Sequence, residues 1–284
     1  MDWEGREESS NVEDRRGMGT KVAIAGGGLS VLIVIVGLLF GVDTSQLANL
    51  VGGGGNQQAQ QGPRTASPEE ERLAKFSSVI FHSTEVVWQD QFKRLGKTYV
   101  EPKMVLYTDR VNSGCGAADA SVGPFYCGAD QKVYLDLSFY HDMEKKLGAP
   151  GEFARAYVIA HEVGHHVQHL LGYSARAQHM VRDQQQTQSQ ASVRLELQAD
   201  YFAGVWAHYA KDTFKVNEKD IKTAINAAYE IGDDRLQNKA TGHVFPEKFT
   251  HGTSKQRMRW FMEGYRSGDV GAAQRLFTLN YNEL

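Results

Sequence analysis

The chain has 284 residues, and its 31 Lys and Arg nearly balance its 34 Asp and Glu, so the formal net charge is −3. A charge this small gives no bulk field that would favour nucleic acid or an acidic partner. Hydrophobic residues make up 41% of the sequence, which is ordinary for a chain that builds a core and excludes a wholly disordered protein.

The N-terminal part of the chain predicts a membrane anchor. Residues 1–20 are polar, and we expect a disordered tail there. Residues 22–42 read VAIAGGGLSVLIVIVGLLFGV and carry no charge, which suits a helix that crosses a bilayer, so we predict a transmembrane helix at residues 21–42. A cleaved signal peptide has a shorter apolar core, followed by a small-residue cleavage site. A buried soluble helix fits poorly because this run has no polar face.

The distribution of basic residues around this run predicts its orientation. Four of them precede it: Arg6, Arg15, Arg16 and Lys21. The next basic residue is Arg64. Because positive charge stays in the cytoplasm, the N-terminus is predicted to be cytoplasmic and the rest of the chain to lie outside. Residues 43–67 are rich in Gly and Gln and predict a flexible linker, which leaves one domain at residues 68–284.

The first half of this domain predicts an α+β fold. Ser67 begins a Ser-x-x-Glu capping pattern, and an apolar stripe with helical spacing follows it. Strands are predicted at KMVLYTD, residues 103–109, and at KVYLDLSFY, residues 132–140. The second strand could form a sheet edge to which an extended peptide adds a strand, although an internal strand fits the sequence equally well.

The two cysteines predict a disulfide. Cys115 and Cys127 lie at the ends of the loop CGAADASVGPFYC, and a domain outside the cytoplasm favours their oxidation. Two buried free thiols are the alternative. A metal pair is less favoured because the sequence has no C-x-x-C spacing.

The segment EFARAYVIAHEVGHHVQHLLGY, residues 152–173, predicts a long buried helix with a zinc site. His161 and His165 are one turn apart, so they project from the same face and can bind one Zn²⁺. Glu162 lies beside them, where it can take a proton from a metal-bound water. This is the H-E-x-x-H pattern of zinc peptidases. Core histidines are the alternative, but a buried glutamate beside them would be costly without a metal or hydrogen bonds.

The other two histidines of this helix are not predicted to bind the metal. His169 lies about 12 Å along the helix axis from His161, which one ion cannot span. A metzincin would place its third histidine six residues after the second, and that position is Leu171. We therefore expect His166 and His169 to be packing or supporting groups.

The segment SVRLELQADYFAGVWAHYA, residues 192–210, predicts the third ligand. Glu196 and Asp200 form one row on a helix, and the small residues Ala203, Gly204 and Ala207 continue it, which suits close packing against another helix. A solvated acidic edge is the alternative. We predict that Glu196 completes a His₂Glu site for one catalytic Zn²⁺ and that Asp200 accepts the second ring N–H of a histidine ligand.

The segment THGTSKQR, residues 250–257, predicts a helix start with two polar residues beside it. Thr253 or Ser254 can cap the helix, which leaves His251 just before it and Arg257 in its first turns, both outside the apolar stripe. A peptidase needs a donor to the oxyanion, and His251 is the candidate. A surface His–Arg pair that packs the helix is the alternative.

Five of these segments together resemble the bacterial neutral zinc metallopeptidase family, whose proteins are membrane-tethered. Its pattern GPFYC, VYLDLSF, AHEVGHH, LELQAD and FTHGTS corresponds here to residues 123–127, 133–139, 160–166, 195–200 and 249–254. The resemblance covers the chain from about residue 70 onward. It implies a zincin-like domain with a small β-sheet and an H-E-x-x-H active-site helix, preceded by one transmembrane helix in the bacterial inner membrane, with the catalytic domain in the periplasm.

The family is similar in turn to the gluzincins, in which the Glu of an E-x-x-x-D motif binds zinc and the Asp orients a histidine ligand. This implies those roles for Glu196 and Asp200. Residues 251–257 resemble the His-Pro-Ser-x-x-x-Arg segment of membrane-associated gluzincins, with Gly252 in place of Pro. That resemblance implies a catalytic His251 supported by Arg257.

The function predicted from the sequence is that of a membrane-anchored zinc metallopeptidase acting on peptide or protein substrates. Glu162 would be the general base that takes the water proton. A zinc-bearing envelope scaffold or chaperone-like protein that binds peptide with little turnover is the alternative, and the intact Glu162 argues against it. An intramembrane protease is excluded because the H-E-x-x-H helix lies far from the predicted span in sequence.

Overall fold

The computed structural model describes residues 1–17, 66–241 and 243–284. The predicted transmembrane helix at residues 21–42 lies outside the described residues, as does nearly all of the predicted linker. The strands are β1 (Val12–Asp14), β2 (Lys103–Tyr107), β3 (Arg110–Ser113), β4 (Gly116–Asp119), β5 (Phe125–Cys127) and β6 (Lys132–Asp136). The α-helices are α1 (Pro68–Arg94), α2 (Ser138–Lys145), α3 (Glu152–Leu171), α4 (Tyr173–Arg182), α5 (Gln188–Ala210), α6 (Glu218–Glu230), α7 (Asp233–Thr241) and α8 (Ser254–Ser267). Short 3₁₀ helices cover Ala120–Val122, Pro246–Lys248, Gly271–Phe277 and Tyr281–Glu283.

A small mixed sheet confirms the predicted α+β class. Its order is β1-β2-β6-β5, in which β1, β2 and β6 run parallel and β5 runs antiparallel to β6. The strand predicted at residues 103–109 is confirmed as β2. Because β6 lies between β2 and β5, the interpretation of β6 as a sheet edge is wrong, and β5 is the end strand on that side.

The second predicted strand is confirmed only in its first half. Its end is set by Asp136, whose carboxylate accepts the backbone N–H groups of Asp109 and Ser138 at 2.8 and 2.9 Å. These two bonds turn the chain out of the sheet, and α2 begins at Ser138. The alternating pattern of residues 132–140 could not show this, because the partner at Asp109 lies far away in sequence.

Cys115 and Cys127 form a disulfide in the structure. Cys115 lies between β3 and β4, which pair as a hairpin, and Cys127 ends β5. Cys127 is fully buried in a second, smaller core that also contains Val111, Phe125 and Tyr134. The bridge therefore ties the hairpin to the end strand of the sheet.

Removal of this bridge should destabilise the domain. In the double variant Cys115→Ala and Cys127→Ala, we expect the free energy of unfolding to fall by about 3 kcal/mol, because the unfolded chain is no longer constrained by the short loop. Urea denaturation followed by circular dichroism measures the loss. The reduced wild-type protein is the control and should unfold at the same urea concentration as the variant. Equal stability of the oxidised wild type and the variant would contradict the prediction.

Helices α3 and α5 carry the candidate site. Local sequence sets the ends of these two helices and the start of α1. Ser67 caps the preceding helix α1, as predicted, by accepting the backbone N–H of Glu70 at 3.2 Å. Helix α3 ends at Gly172, whose φ of 82° suits only glycine well. Helix α5 begins with a capping box between Thr187 and Gln190. Most side chains of α3 and α5 are buried, so this pair forms the centre of the core.

Glycines allow helix α5 to approach its two neighbours closely. A Cβ at Gly164 of α3 would lie 3.0 Å from the carbonyl oxygen of Ala199. A Cβ at Gly204 would lie 2.1 Å from the carbonyl oxygen of Phe261, on α8. The prediction that the small residues after Asp200 pack against another helix is therefore confirmed, and that helix is α8 rather than the one with the histidines.

The N-terminal residues are ordered, so the predicted disordered tail at residues 1–20 is wrong for residues 1–17. Strand β1 pairs with β2 in the register Val12↔Met104 to Asp14↔Leu106. Trp3 is only 3% exposed and packs in the main hydrophobic core. The sequence did not indicate this because the partners of β1 and of Trp3 lie in distant parts of the chain.

The predicted single-pass topology in the inner membrane is also wrong. Within residues 1–17, 66–241 and 243–284, no helix has both the length and the apolar character that a membrane crossing requires. The predicted topology also places residues 1–17 and the domain on opposite sides of a bilayer, whereas β1 is hydrogen-bonded to β2 in the same sheet. Three of the basic residues that suggested the orientation, Arg6, Arg15 and Arg16, have partners in the structure. Arg16, for example, binds the carboxylates of Asp14 and Glu71.

Candidate metal centre

Three predicted ligands meet between helices α3 and α5. One potential ligand atom from each of His161, His165 and Glu196 lies within 4.8 Å of the other two, and all three residues are buried. Nε2 of His161 is 3.2 Å from one carboxylate oxygen of Glu196, and Nε2 of His165 is 3.5 Å from the other. Helical spacing brings the two histidines to one face, and the close packing of α3 on α5 brings the glutamate to them.

The rings of His161 and His165 are oriented so that each Nε2 atom faces the carboxylate of Glu196. Nδ1 of His161 lies 2.8 Å from Oδ1 of Asp200, and Nδ1 of His165 lies 2.9 Å from Oε1 of Gln168. Both partners are oxygen acceptors, so a proton on each Nδ1 is hydrogen-bonded to them, and a metal that displaces any proton from Nε2 would meet its lone pair. The donor set of two imidazoles and one carboxylate fits a catalytic zinc site with an open position.

The electrostatics of the site favour a cation between the two helices. Burial alone would lower the pKa of His161, but the carboxylates of Asp200 and Glu196 raise it to about 10. Burial would raise the pKa of Glu196, yet His251, His165 and His161 hold it well below its usual value. Glu196 therefore stays ionised although it is buried. The negative charge that stabilises an imidazolium here would equally stabilise a metal ion.

Glu162 follows His161 on α3 and is mostly buried, with 8% of its surface exposed. Burial raises the pKa of its carboxyl group to about 7; the charge of Glu196 acts in the same direction, and His161 opposes it. A carboxyl group with a pKa near neutrality can both take up and release a proton, which is what general acid–base catalysis requires.

Asp200 is the centre of a buried hydrogen-bond network behind His161. The Nε and Nη2 atoms of Arg257 donate to the two oxygens of Asp200 at 2.8 and 2.9 Å, and the hydroxyl group of Tyr157 donates to the same carboxylate. Arg257 is 2% exposed and pairs with Asp200, so the alternative of a surface pair between His251 and Arg257 is wrong. The network holds Oδ1 of Asp200 in place, and this oxygen accepts the hydrogen bond from Nδ1 of His161. Tyr157 was not identified from the sequence, although it lies one turn before His161.

His251 is held near the site by a residue that the sequence analysis missed. Asp233, at the start of α7, accepts the backbone N–H groups of Thr250 and His251 at 2.6 Å each and that of Gly252 at 3.1 Å. Its second oxygen lies 3.1 Å from Nδ1 of His251. Burial would lower the pKa of His251, but the charges of Glu196 and Asp233 raise it above its usual value. The side chain is therefore favoured as a hydrogen-bond donor.

The remaining histidines of α3 point elsewhere, as predicted. Nδ1 of His166 lies 3.0 Å from the hydroxyl group of Tyr126, and its Nε2 donates to the carbonyl oxygen of Val100 at 2.7 Å. His169 is exposed. The hydrogen bond from Tyr126, which belongs to β5, joins the end strand of the sheet to the helix with the candidate ligands.

Comparison with known proteins agrees with this geometry. The family model described as "Putative neutral zinc metallopeptidase" matches residues 1–275. "Uncharacterized protein YpfJ" of Escherichia coli K12 is 50% identical over 284 residues, which cover 95% of this chain and 96% of the relative. "Uncharacterized protein Mb2605" of Mycobacterium bovis is 43% identical over 199 residues, which cover 66% of this chain and 65% of the relative. No solved structure matches the chain.

Proposed function

Because the chain belongs to the neutral zinc metallopeptidase family, we propose that it hydrolyses peptide bonds at one zinc ion bound by His161, His165 and Glu196. The observation that carries the proposal is that the Nε2 atoms of both histidines face the two oxygens of Glu196. The opposite nitrogen of each ring, Nδ1, contacts Asp200 or Gln168. When bound, the zinc supplies Lewis-acid activation of a water molecule and of the scissile carbonyl group.

The residues around the ligands would carry the proton transfers. Glu162 takes the proton of the attacking water and passes it to the leaving amine, for which its pKa near 7 is suitable. His251 donates a hydrogen bond to the oxyanion that forms on the carbonyl group. Asp233 positions His251 and favours its protonated form. Asp200 keeps the ring of His161 in the orientation that ligation requires.

The end strand β5 gives the proposed substrate a place to bind. In the described part of the chain its one strand partner is β6, and Tyr126 connects it to His166 on the active-site helix. An extended peptide could add to its other edge by main-chain hydrogen bonds. Such an edge supports a polypeptide substrate. The strand that would receive it is β5 and not β6, which was the candidate edge strand in the sequence.

The proposal is tested by incubating the zinc-loaded protein with a proteome-derived peptide library and identifying new termini by mass spectrometry. We expect new termini that are absent with the chelated protein. Binding of library peptides without cleavage would instead support the peptide-binding scaffold and would contradict the proposal.

Removal of one ligand should reduce zinc binding strongly. In His165→Ala, we expect zinc affinity to fall by roughly 100-fold or more, since even the loss of a group that only supports a ligand costs 10- to 100-fold. Wild type should hold close to one zinc per chain by mass spectrometry of the native protein and by titration with a competing chelator. His169→Ala, which changes an exposed histidine of the same helix, is the matched control and should bind zinc like the wild type. Undiminished binding by His165→Ala would reject His165 as a ligand.

His251→Ala should lose about 100-fold in the rate of peptide hydrolysis, because an oxyanion donor is removed. Zinc content should stay the same, since His251 is not among the three proposed ligands. Initial rates on a cleaved library peptide measure the effect, and His169→Ala again serves as the control. Full activity of His251→Ala would leave His251 with a structural role only.

A further inference from the structure

The N-terminal segment, residues 1–17, lies against the domain although residues 18–65 separate the two in sequence. Its first anchor is Trp3, which is 3% exposed and meets Phe76 of α1 edge-on at 5.3 Å between ring centroids. The indole N–H donates to Glu152 at 2.9 Å, and the guanidinium group of Arg72 lies 5.0 Å from the ring centroid. A buried tryptophan with its polar atom satisfied is the type of residue that dominates binding between separate chains.

The second anchor is a carboxylate of the domain that the segment satisfies. Glu85 of α1 is only 4% exposed, and its Oε1 atom accepts the hydroxyl group of Ser9 at 2.6 Å and the side-chain amide of Asn11 at 2.9 Å. Its other oxygen lies 3.2 Å from Nδ1 of His82, within the domain. Without the segment, this carboxylate would lose both side-chain donors to Oε1. The domain is therefore built to receive this particular segment.

The third contact is the addition of a strand. The backbone N–H of Met104 donates to the carbonyl oxygen of Asn11 at 2.9 Å, and that of Arg15 donates to Leu106 at 2.8 Å. These bonds add β1 to the edge of β2, which is a common way for a separate peptide to bind a sheet. Glu13 contacts Lys132 at 2.8 Å at the border of this surface.

From these three contacts we propose that residues 1–17 are a peptide ligand of residues 66–284, recognised by the N-terminal groove. We define this groove as the surface formed by Phe76 and Glu85 of α1, the edge of β2, and Glu152. The occupant is the chain's own segment, because covalent connection gives it a high effective concentration there. Glu152 is the first residue of α3, so occupancy of the groove also holds the start of the helix that carries His161 and His165.

The experiment cuts the connection in the full-length protein. A recognition sequence for a site-specific protease is inserted between Gly19 and Thr20, and the cleaved protein is analysed by size-exclusion chromatography. We expect the N-terminal fragment to co-elute with the domain in native buffer and to separate in urea. Trp3→Ala should weaken the association by roughly 100-fold or more, as large-to-small substitutions in a core do. Ser10→Ala is the matched control, because Ser10 is an exposed residue of the same segment, and it should leave the association unchanged.

Two results would overturn the proposal. Elution of the wild-type fragment apart from the cleaved domain in native buffer would show that the groove does not bind it. Elution of the uncut protein as a dimer, with fragments that exchange between differently tagged copies, would show that the occupant comes from a second copy. Neither readout uses zinc or hydrolysis, so the result does not depend on the proposed peptidase function.

Discussion

Glu162→Gln should lower the rate of peptide hydrolysis by about 10²- to 10⁴-fold while the protein keeps its zinc and its fold. The glutamine has the same shape as the glutamate, but it cannot take a proton from the attacking water. Glu162 is not one of the three residues whose ligand atoms converge, so the metal site should remain. The change therefore separates the proton transfer from metal binding.

Three measurements on the same preparation check this result. Initial rates on a cleaved library peptide give the loss of activity, native mass spectrometry gives the zinc content, and thermal unfolding gives the stability. Glu69→Gln, at an exposed position of α1, is the matched control and should behave as the wild type. Full activity of Glu162→Gln would assign the base to another group. Loss of zinc together with activity would instead give Glu162 a part in holding the metal.

The candidate ligands could be predicted from the sequence because their arrangement follows from helix geometry. His161 and His165 are one turn apart, and Glu196 and Asp200 repeat that spacing on a second buried helix. The carboxylate of Asp200 then needs only the close approach of α5 to α3 to meet the ring of His161, and Gly164 allows that approach. Local patterns thus contained most of the site.

The groups that support the ligands could not be predicted in the same way. Asp233 acts on His251 through a loop whose shape depends on three backbone hydrogen bonds to one carboxylate, and no local pattern encodes such a contact. Gln168 is different, because it lies three residues after His165 on the same helix. A search for acceptors one turn after each predicted ligand would have found it.

The basic residues near the N-terminus show how a correct rule gave a wrong topology. The rule that positive charge stays in the cytoplasm applies to basic residues that flank a membrane span. Here Arg6 donates to backbone carbonyl groups of Asp2 and Thr213, and Arg15 pairs with Glu13. Of these contacts, the one between Arg6 and Thr213 joins residues 1–17 to the domain, and the other two lie within the segment. Composition alone cannot distinguish such charges from those of a disordered tail, because it does not show that Arg6 meets Thr213, a residue far away in sequence.

The close contact between helices α5 and α8 predicts a large loss of stability when Gly264 is substituted. A Cβ added at Gly264 would lie 2.0 Å from the carbonyl oxygen of Tyr201 and 3.1 Å from the backbone nitrogen of Val205. Both atoms belong to helix backbone, so neither can turn aside as a side chain could. Gly204 makes the reciprocal approach from α5 to α8. The two helices must therefore move apart to accept even one methyl group.

Gly264→Ala should lower the free energy of unfolding by about 3 kcal/mol or more, at the upper end of what overpacking costs. The better helix propensity of alanine offsets only about 1 kcal/mol of this loss. The melting temperature should fall by roughly 6 °C or more. Differential scanning calorimetry measures it, with Gly128→Ala as the control, where the nearest atom to the added Cβ is 3.9 Å away.

Gly264→Ala should also lower the zinc affinity. A fall in zinc affinity would show that the close contact of α5 and α8 supports the metal site and does not only fill space in the core. Arg257 lies on α8 and Asp200 on α5, and their paired hydrogen bonds at 2.8 and 2.9 Å require the present helix separation. If the helices move apart, Asp200 loses this support and holds His161 less firmly, so the zinc affinity of Gly264→Ala should fall together with its melting temperature. A variant with unchanged melting temperature and zinc affinity would show that α8 can shift freely. In that case, the close approach of α5 and α8 would have no part in building the site.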